Sequence, residues 1–110
     1  MSNPQNASSN VEVRLQELST ALVEELISLT PPSMSVIVFE IVSTEDVGAD
    51  IGLLENHPDV VHVALSDVVY SVGSRYIPYV KQYVPGWHRT LFTIRKNGDQ
   101  WEVAVDFQRA

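Results

Sequence analysis

The dipeptide Asn97-Gly98 lies between two segments of alternating apolar and polar residues, 88–96 and 99–107. Asn-Gly is preferred in the two-residue type I′ loops of β-hairpins, because both central residues need positive φ. Counting outward from such a loop pairs Ile94 with Trp101 and Phe92 with Val103, and collects the apolar residues of both strands on one side of the ribbon. The sequence therefore predicts a C-terminal antiparallel hairpin whose apolar side meets helices.

The N-terminal part of the chain predicts an amphipathic helix. Apolar residues recur at spacings of three and four from Val11 to Leu29, Asn10 stands at the N-cap position, and Pro31-Pro32 ends the pattern. Residues 1–9 are mainly Ser, Asn, Gln and Ala with one Pro, a composition that predicts a disordered tail. The remainder, residues 10–110, is short enough to form a single domain around one core.

Between this helix and the hairpin, two β-branched stretches predict strands at 34–42 and 60–65. For residues 49–54 the apolar spacing also fits a helix, but Gly48 and Gly52 weigh against one and favour a strand. A second helix is predicted from Asp67, as its cap, to Tyr83, with a kink or break at Pro78. The expected fold is α+β, an antiparallel sheet of about five strands in the order α-β-β-β-α-β-β with both helices packed on one face.

Charge is distributed unevenly along the chain, whose net charge is −7. Up to Ser66 there are ten acidic residues and one basic residue, Arg14, whereas the remainder carries four acids and six bases. Such a chain repels the phosphate backbone of nucleic acids, so we expect no direct nucleic-acid binding. The acidic half favours a basic protein partner, although an acidic balance that serves only solubility explains it equally well.

No catalytic or metal-binding motif is present in the sequence. Cys is absent, which removes disulfides and thiolate chemistry, and His57, His62 and His88 lack the spacing of zinc ligands. Nucleophile elbows and glycine-rich phosphate loops are also missing. We therefore expect neither catalysis nor a cofactor or metal. The sequence predicts neither a secretory leader nor a membrane span, and we expect a cytoplasmic protein.

The C-terminal segment resembles a known family. Residues 87–94, then Asn97-Gly98, then 101–107 are similar to the closing hairpin of small bacterial immunity proteins of the YezG-like type. In those proteins a Trp starts a strand, a Gly-containing turn follows, and an acidic-aromatic end closes the sheet. The layout from Val11 to Phe107 is also similar, with a helix, a strand meander and a second helix before the hairpin.

The resemblance implies binding and neutralisation of the toxic domain of a cognate toxin, commonly a nuclease. Carboxylates of an acidic inhibitor mimic the phosphates that a basic nuclease attracts. The candidate contacts, here called the acidic connections, are Glu45, Asp46, Asp50, Glu55 and Asp59. Glu17 and Glu24 are weaker candidates. Tyr79 and Tyr83 are candidate interface aromatics, because one helical stripe cannot bury every ring.

Two other classes of function stay open at this point. An acidic secretion-type chaperone that binds an effector segment along its sheet would show an exposed apolar face or edge. A small enzyme or ligand-binding domain would need a deep pocket with converging polar groups.

Overall fold

The computed structural model describes residues 4–44, 49–55 and 57–110, with side chains described from Asn10 onward. Along the chain the elements are α1 (Pro4–Leu29), β1 (Val36–Ser43), β2 (Ala49–Leu53), a 3-10 helix (Pro58–His62), α2 (Asp67–Tyr83), β3 (Trp87–Asn97) and β4 (Gln100–Arg109). The strands form one antiparallel sheet in the order β2-β1-β3-β4. The predicted α+β class is confirmed, with four strands in the described chain instead of about five.

One face of the sheet and both helices enclose the core. β1 and β3 alternate buried and partly exposed residues, as strands covered on one face do. The ring of Phe92 lies 5.9 Å from that of Phe39 on β1 and 5.8 Å from that of Tyr76 on α2. Leu22 and Leu26 of α1 are fully buried against the same cluster. The apolar stripe that predicted α1 is thus its core-facing side.

α2 approaches β2 closely at one glycine. Gly73 is buried, and a Cβ built on it would lie 2.7 Å from the Cδ1 atom of Ile51 on β2. A residue without a side chain lets the helix backbone approach the strand this closely. α1 packs beside α2, and the C-terminal end of α2 reaches β4, where Tyr83 packs against Phe107.

The predicted third strand, residues 60–65, is wrong. Pro58–His62 forms a 3-10 helix, and the His57 imidazole caps it by accepting the backbone N–H of Asp59 at 3.0 Å. Proline at the first helical position is preorganised for this turn, because its φ is fixed near the helical value. Val60 is buried whereas Val61 is 73% exposed. The cap at His57 and the proline at position 58 therefore favour a helical turn here, although the β-branched composition favours a strand.

The hairpin is confirmed, but its predicted loop and register are wrong. Asn97 pairs with Gln100, so the two-residue loop is Gly98-Asp99. Gly98 has φ +62°, and among the described residues only glycines have positive φ, which fits a type II′ loop with glycine first. The register consequently shifts by two residues. Side chains keep their predicted faces, because the period of a strand is two.

The helix boundaries also differ from the predictions in part. α1 begins at Pro4, before the predicted N-cap at Asn10, and ends at Leu29 as predicted. Ser66, and not Asp67, caps α2 by accepting the N–H of Val69 at 3.4 Å. α2 continues through Pro78 without a break. Within the described chain, neither helix combines the length and the apolar character that crossing a lipid bilayer requires.

Candidate functional site

β4 forms one edge of the described sheet and leaves a row of backbone groups without a neighbouring strand. The backbone N–H of Lys96 donates to the carbonyl of Ser35, just before β1, at 2.8 Å. The backbone groups of Lys96 thus point toward β1, so the Lys96–Trp101 pair is not hydrogen-bonded between β3 and β4. Hydrogen-bonded and non-bonded pairs alternate in an antiparallel ladder. The N–H and C=O groups of Trp101, Val103 and Val105 therefore point away from β3, toward the open edge.

The same residues place their side chains on the helical face, where α1 does not cover them fully. Val103 and Val105 are 44% and 39% exposed, although they belong to the apolar side of the hairpin. Buried valine is the normal outcome on such a side. Residues of α1 line the space above these valines without closing it, so the β4 valines stand beside α1 instead of beneath it.

The space between α1 and β4 is a groove made of two adjoining cavities of about 470 and about 280 Å³. Both cavities are lined by Ser19 and Thr20 of α1 and by Val103 of β4. Aromatic residues stand at the two ends of the groove. At one end Tyr83 meets Phe107 edge to face at 5.9 Å, and at the other Trp101 lies 5.9 Å from the Lys96 ammonium.

Carboxylates flank both sides of this groove. Glu12 and Glu24 line it from α1. Glu102 and Asp106 lie on the outer face of β4, the face away from the helices, and both are exposed. They accept hydrogen bonds from neutral amide groups, Glu102 from Asn97 and Asp106 from Gln108, each at 2.9 Å. These bonds hold the carboxylates in place without neutralising them.

The structure describes three of the predicted acidic connections and places them on β2, beyond the end of β2 and on the 3-10 helix. Asp50 on β2 and Glu55 beyond it are exposed. Asp59 accepts a hydrogen bond from the Ser33 hydroxyl and lies 3.8 Å from the His57 imidazole, so it is tied to neighbouring loops. Glu45 and Asp46 fall outside the described residues.

The two candidate tyrosines are separated by their environments. Tyr79 is partly buried against the core and lines a cleft with Arg14 and Glu17 of α1. Tyr83 is 43% exposed and faces the β4 groove. The pair therefore does not form one surface.

Sequence reasoning missed Val103 and Val105 because it placed the whole apolar side of the hairpin under the helices. The sequence does carry a signal for one close helix–strand contact, a glycine in the middle of a helix. Gly73 weakens α2 by its propensity, and a packing role explains its presence there. The close approach to Ile51 is that role.

The polar group most perturbed by its surroundings lies in the core and not in the groove. Burial raises the pKa of Tyr76 to about 12, and its hydroxyl donates to Thr90 Oγ1 at 3.5 Å. Trp87 Nε1 donates to the same oxygen at 2.8 Å. This buried cluster locks β3 to α2, and a neutral phenol in that position has no access to a substrate.

The groove offers an apolar floor, hydroxyls and flanking carboxylates, which suits recognition of another chain more than bond making. Among the described residues, no three His, Asp or Glu side chains come together to hold a metal ion. Compared with protein-family models, curated proteins and solved structures, the chain matches none of them.

Proposed function

We propose that this chain is a binding protein without catalytic activity, and that it neutralises the toxic domain of a cognate bacterial toxin by covering it. The observation that carries the proposal is the pairing of its carboxylates. Among the described acids between Asn10 and Ser66, only Glu17 and Glu40 form ion pairs with arginine, with Arg14 at 3.1 Å and Arg89 at 2.7 Å. The unpaired carboxylates attract a cationic surface and accelerate encounter with it.

The closing hairpin supports the immunity assignment through its resemblance to YezG-like proteins. A toxic nuclease domain carries a basic surface for phosphates, and an acidic inhibitor competes for that surface. Inhibition by occlusion needs no catalytic group in the inhibitor. Because a toxin must be neutralised in the cell that makes it, the proposal also places this protein in the cytoplasm.

Co-purification with the toxin domain encoded beside this protein tests the proposal. The amount of retained toxin domain should fall as salt rises from about 0.1 M to about 1 M, because the screening length shortens from about 10 Å to about 3 Å. The triple charge reversal Glu45→Lys, Asp46→Lys and Asp50→Lys should weaken retention further at low salt.

Asp50→Lys and Asp99→Lys form a matched pair for this experiment. Both change the net charge equally, but Asp50 pairs with Val42 at one end of β1 whereas Asp99 lies in the hairpin loop beyond the other end. Asp50→Lys should weaken binding more than Asp99→Lys. Equal effects of the two variants, together with binding that does not respond to salt, would remove the electrostatic mechanism.

The exposed β4 edge favours a second candidate function, that of a secretion-type chaperone. Such a chaperone binds an extended segment of its effector and keeps it unfolded. A chaperone would retain a truncated effector segment as well as the folded protein, whereas an immunity protein would retain only the folded toxin domain and abolish its activity. A nuclease assay on the captured complex separates the two functions.

A further inference from the structure

β4 has the features of a strand that accepts another strand. Its ten residues contain no proline, and the backbone groups of Val103 and Val105 point to the open edge. Proteins commonly protect such edges with proline, short strands or inward-pointing charges, because an unprotected edge is a template for pairing. At the opposite edge, β2 has only five residues, and α2 packs against it through Gly73.

We infer that the β4 edge binds an extended segment of a partner protein as an additional strand, with apolar side chains in the α1–β4 groove and basic side chains beside Glu102 and Asp106. The inference deepens the proposed function and rests on it in one respect, that the partner is a basic protein.

The pattern of the bound segment follows from the geometry of the edge. Successive side chains of a strand point to opposite faces. Residues that point toward α1 enter the groove above Val103 and Val105, which are the exposed apolar surface there. Residues that point outward stand next to Glu102 and Asp106 on the other face. The segment therefore alternates basic, apolar, small, apolar and basic residues.

Charge distinguishes this partner from a second copy of the chain. Antiparallel pairing of two β4 strands centred on Ala104 places Glu102 of each copy opposite Asp106 of the other. Like charges directly opposite each other destabilise a strand pair. Glu12 and Glu24 add further negative charge along the same groove. A basic segment relieves this repulsion, and a second acidic copy increases it.

The probe for this inference is a capped synthetic peptide with the central sequence Lys-Val-Thr-Val-Lys, titrated into the isotope-labelled full chain and followed by NMR. The backbone amide signals of Val103 and Val105 should shift, and their hydrogen exchange should slow, because their N–H groups become hydrogen-bonded. The same peptide with Glu in place of both Lys should bind at least about tenfold more weakly.

Three substitutions locate the binding. Thr20→Arg places a long side chain in the groove from an exposed position of α1, and it should lower the affinity for the peptide by about tenfold. Gln82→Arg adds the same charge at an exposed position of α2 outside the groove and serves as its control. Val105→Pro removes an N–H that points away from β3 and should also weaken binding, whereas Val105→Thr keeps that N–H and should weaken it less.

The outcomes separate this inference from the proposed function. Unchanged β4 signals, shifts confined to the Tyr79 cleft, equal binding of the acidic peptide, or a dimer formed through β4 would each overturn the inference. The toxin domain could bind wild type and Thr20→Arg equally, and fail to bind when the charges of the acidic connections are reversed. In that case the proposed function stands without this site. If the peptide binds β4 and the toxin domain is not retained, the strand site stands and the toxin partner is wrong.

Discussion

Gly73→Ala tests how closely α2 approaches the sheet. Alanine is favoured over glycine in a helix interior by about 1 kcal/mol. The new Cβ, however, would lie 2.7 Å from Ile51 Cδ1, about 1 Å inside an ordinary carbon contact. Overpacking costs about 1–3 kcal/mol, and the lower end of this range applies here, because Cδ1 is the free end of a flexible side chain that is only partly buried. We expect Gly73→Ala to leave the free energy of unfolding nearly unchanged in the wild-type background, because the gain in helix propensity offsets this cost.

Ile51→Val supplies the second arm of a double-mutant cycle. It removes Cδ1, and the next Ile51 atoms lie at ordinary contact distances of 3.7 and 3.9 Å from the new Cβ. In this background only the helix propensity remains, so Gly73→Ala should stabilise the protein by about 1 kcal/mol. The two backgrounds then differ by about 1 kcal/mol, a coupling above the additivity error of about 0.3–0.5 kcal/mol for distant sites.

Urea denaturation followed by circular dichroism measures each of the four proteins in the cycle, with an unchanged m-value as the condition for comparing them. Gly52→Ala is the control, because a Cβ at that position of β2 meets no atom within 4 Å. Its effect should be the same in the wild-type and the Ile51→Val backgrounds. A Gly73→Ala variant that gains stability equally in both backgrounds would show that α2 does not press on β2.

Three further predictions concern stability. Thr90→Val leaves the Tyr76 hydroxyl and Trp87 Nε1 without their shared acceptor, so urea denaturation should show a loss of about 2–4 kcal/mol. Burial raises the pKa of Tyr76 from 10.0 to about 12. The contribution of the neutral phenol to the free energy of unfolding is therefore complete below pH 10 and is lost as pH rises toward 12. This decline in stability, up to about 3 kcal/mol, should be smaller in Tyr76→Phe. Gly98→Ala forces a side chain into positive φ, and thermal unfolding should show a loss of about 1–2 kcal/mol. The Thr90→Val prediction is contradicted by a loss below about 0.5 kcal/mol. Parallel pH profiles of wild type and Tyr76→Phe would contradict the second prediction, and an unchanged melting temperature for Gly98→Ala would contradict the third.

The hairpin shows which kind of sequence inference is robust. Alternation of apolar and polar residues assigns Phe92 and Ile94 to the buried face whatever the loop, because a slip of two residues preserves faces. The type of loop depends on whether Gly98 is the first or the second of the two central loop residues. The sequence Asn97-Gly98-Asp99 allows both, as a loop of Asn97-Gly98 or a loop of Gly98-Asp99. The structure puts Gly98 first, so it pairs Ile94 with Val103 instead of Trp101.

Residues 60–65 show the opposite case, in which composition predicts the wrong element. A run of β-branched residues favours a strand, but a strand also needs a partner at the right edge of the sheet. The His57 side chain and Pro58 together start a 3-10 helix that includes Val60, Val61 and His62, and Ser66 caps α2 directly after the run. Only residues 63–65 remain between the two helices, which is too short for a strand of the length seen elsewhere in this sheet.

The candidate site was only partly predictable for a physical reason. Acidic residues can be counted in a sequence, and the count showed that Asp50 and Glu55 have few basic residues near them along the chain. Exposure of Val103 depends instead on how the helix pair sits laterally on the sheet, which is decided by side-chain contacts between distant segments. Hydrophobic periodicity reports which side of a strand is apolar and does not report whether anything covers it.

The sheet order β2-β1-β3-β4 has a consequence for how the chain folds. β1 is a central strand, and its neighbour β3 lies far along the chain, with Val36 pairing with Arg95. A contact of such long sequence separation has a large loop-closure cost, so it forms after local helices and hairpins. Until it forms, the side of β1 that pairs with β3 is open, and we expect newly made chains to be most prone to aggregation before this pairing is complete.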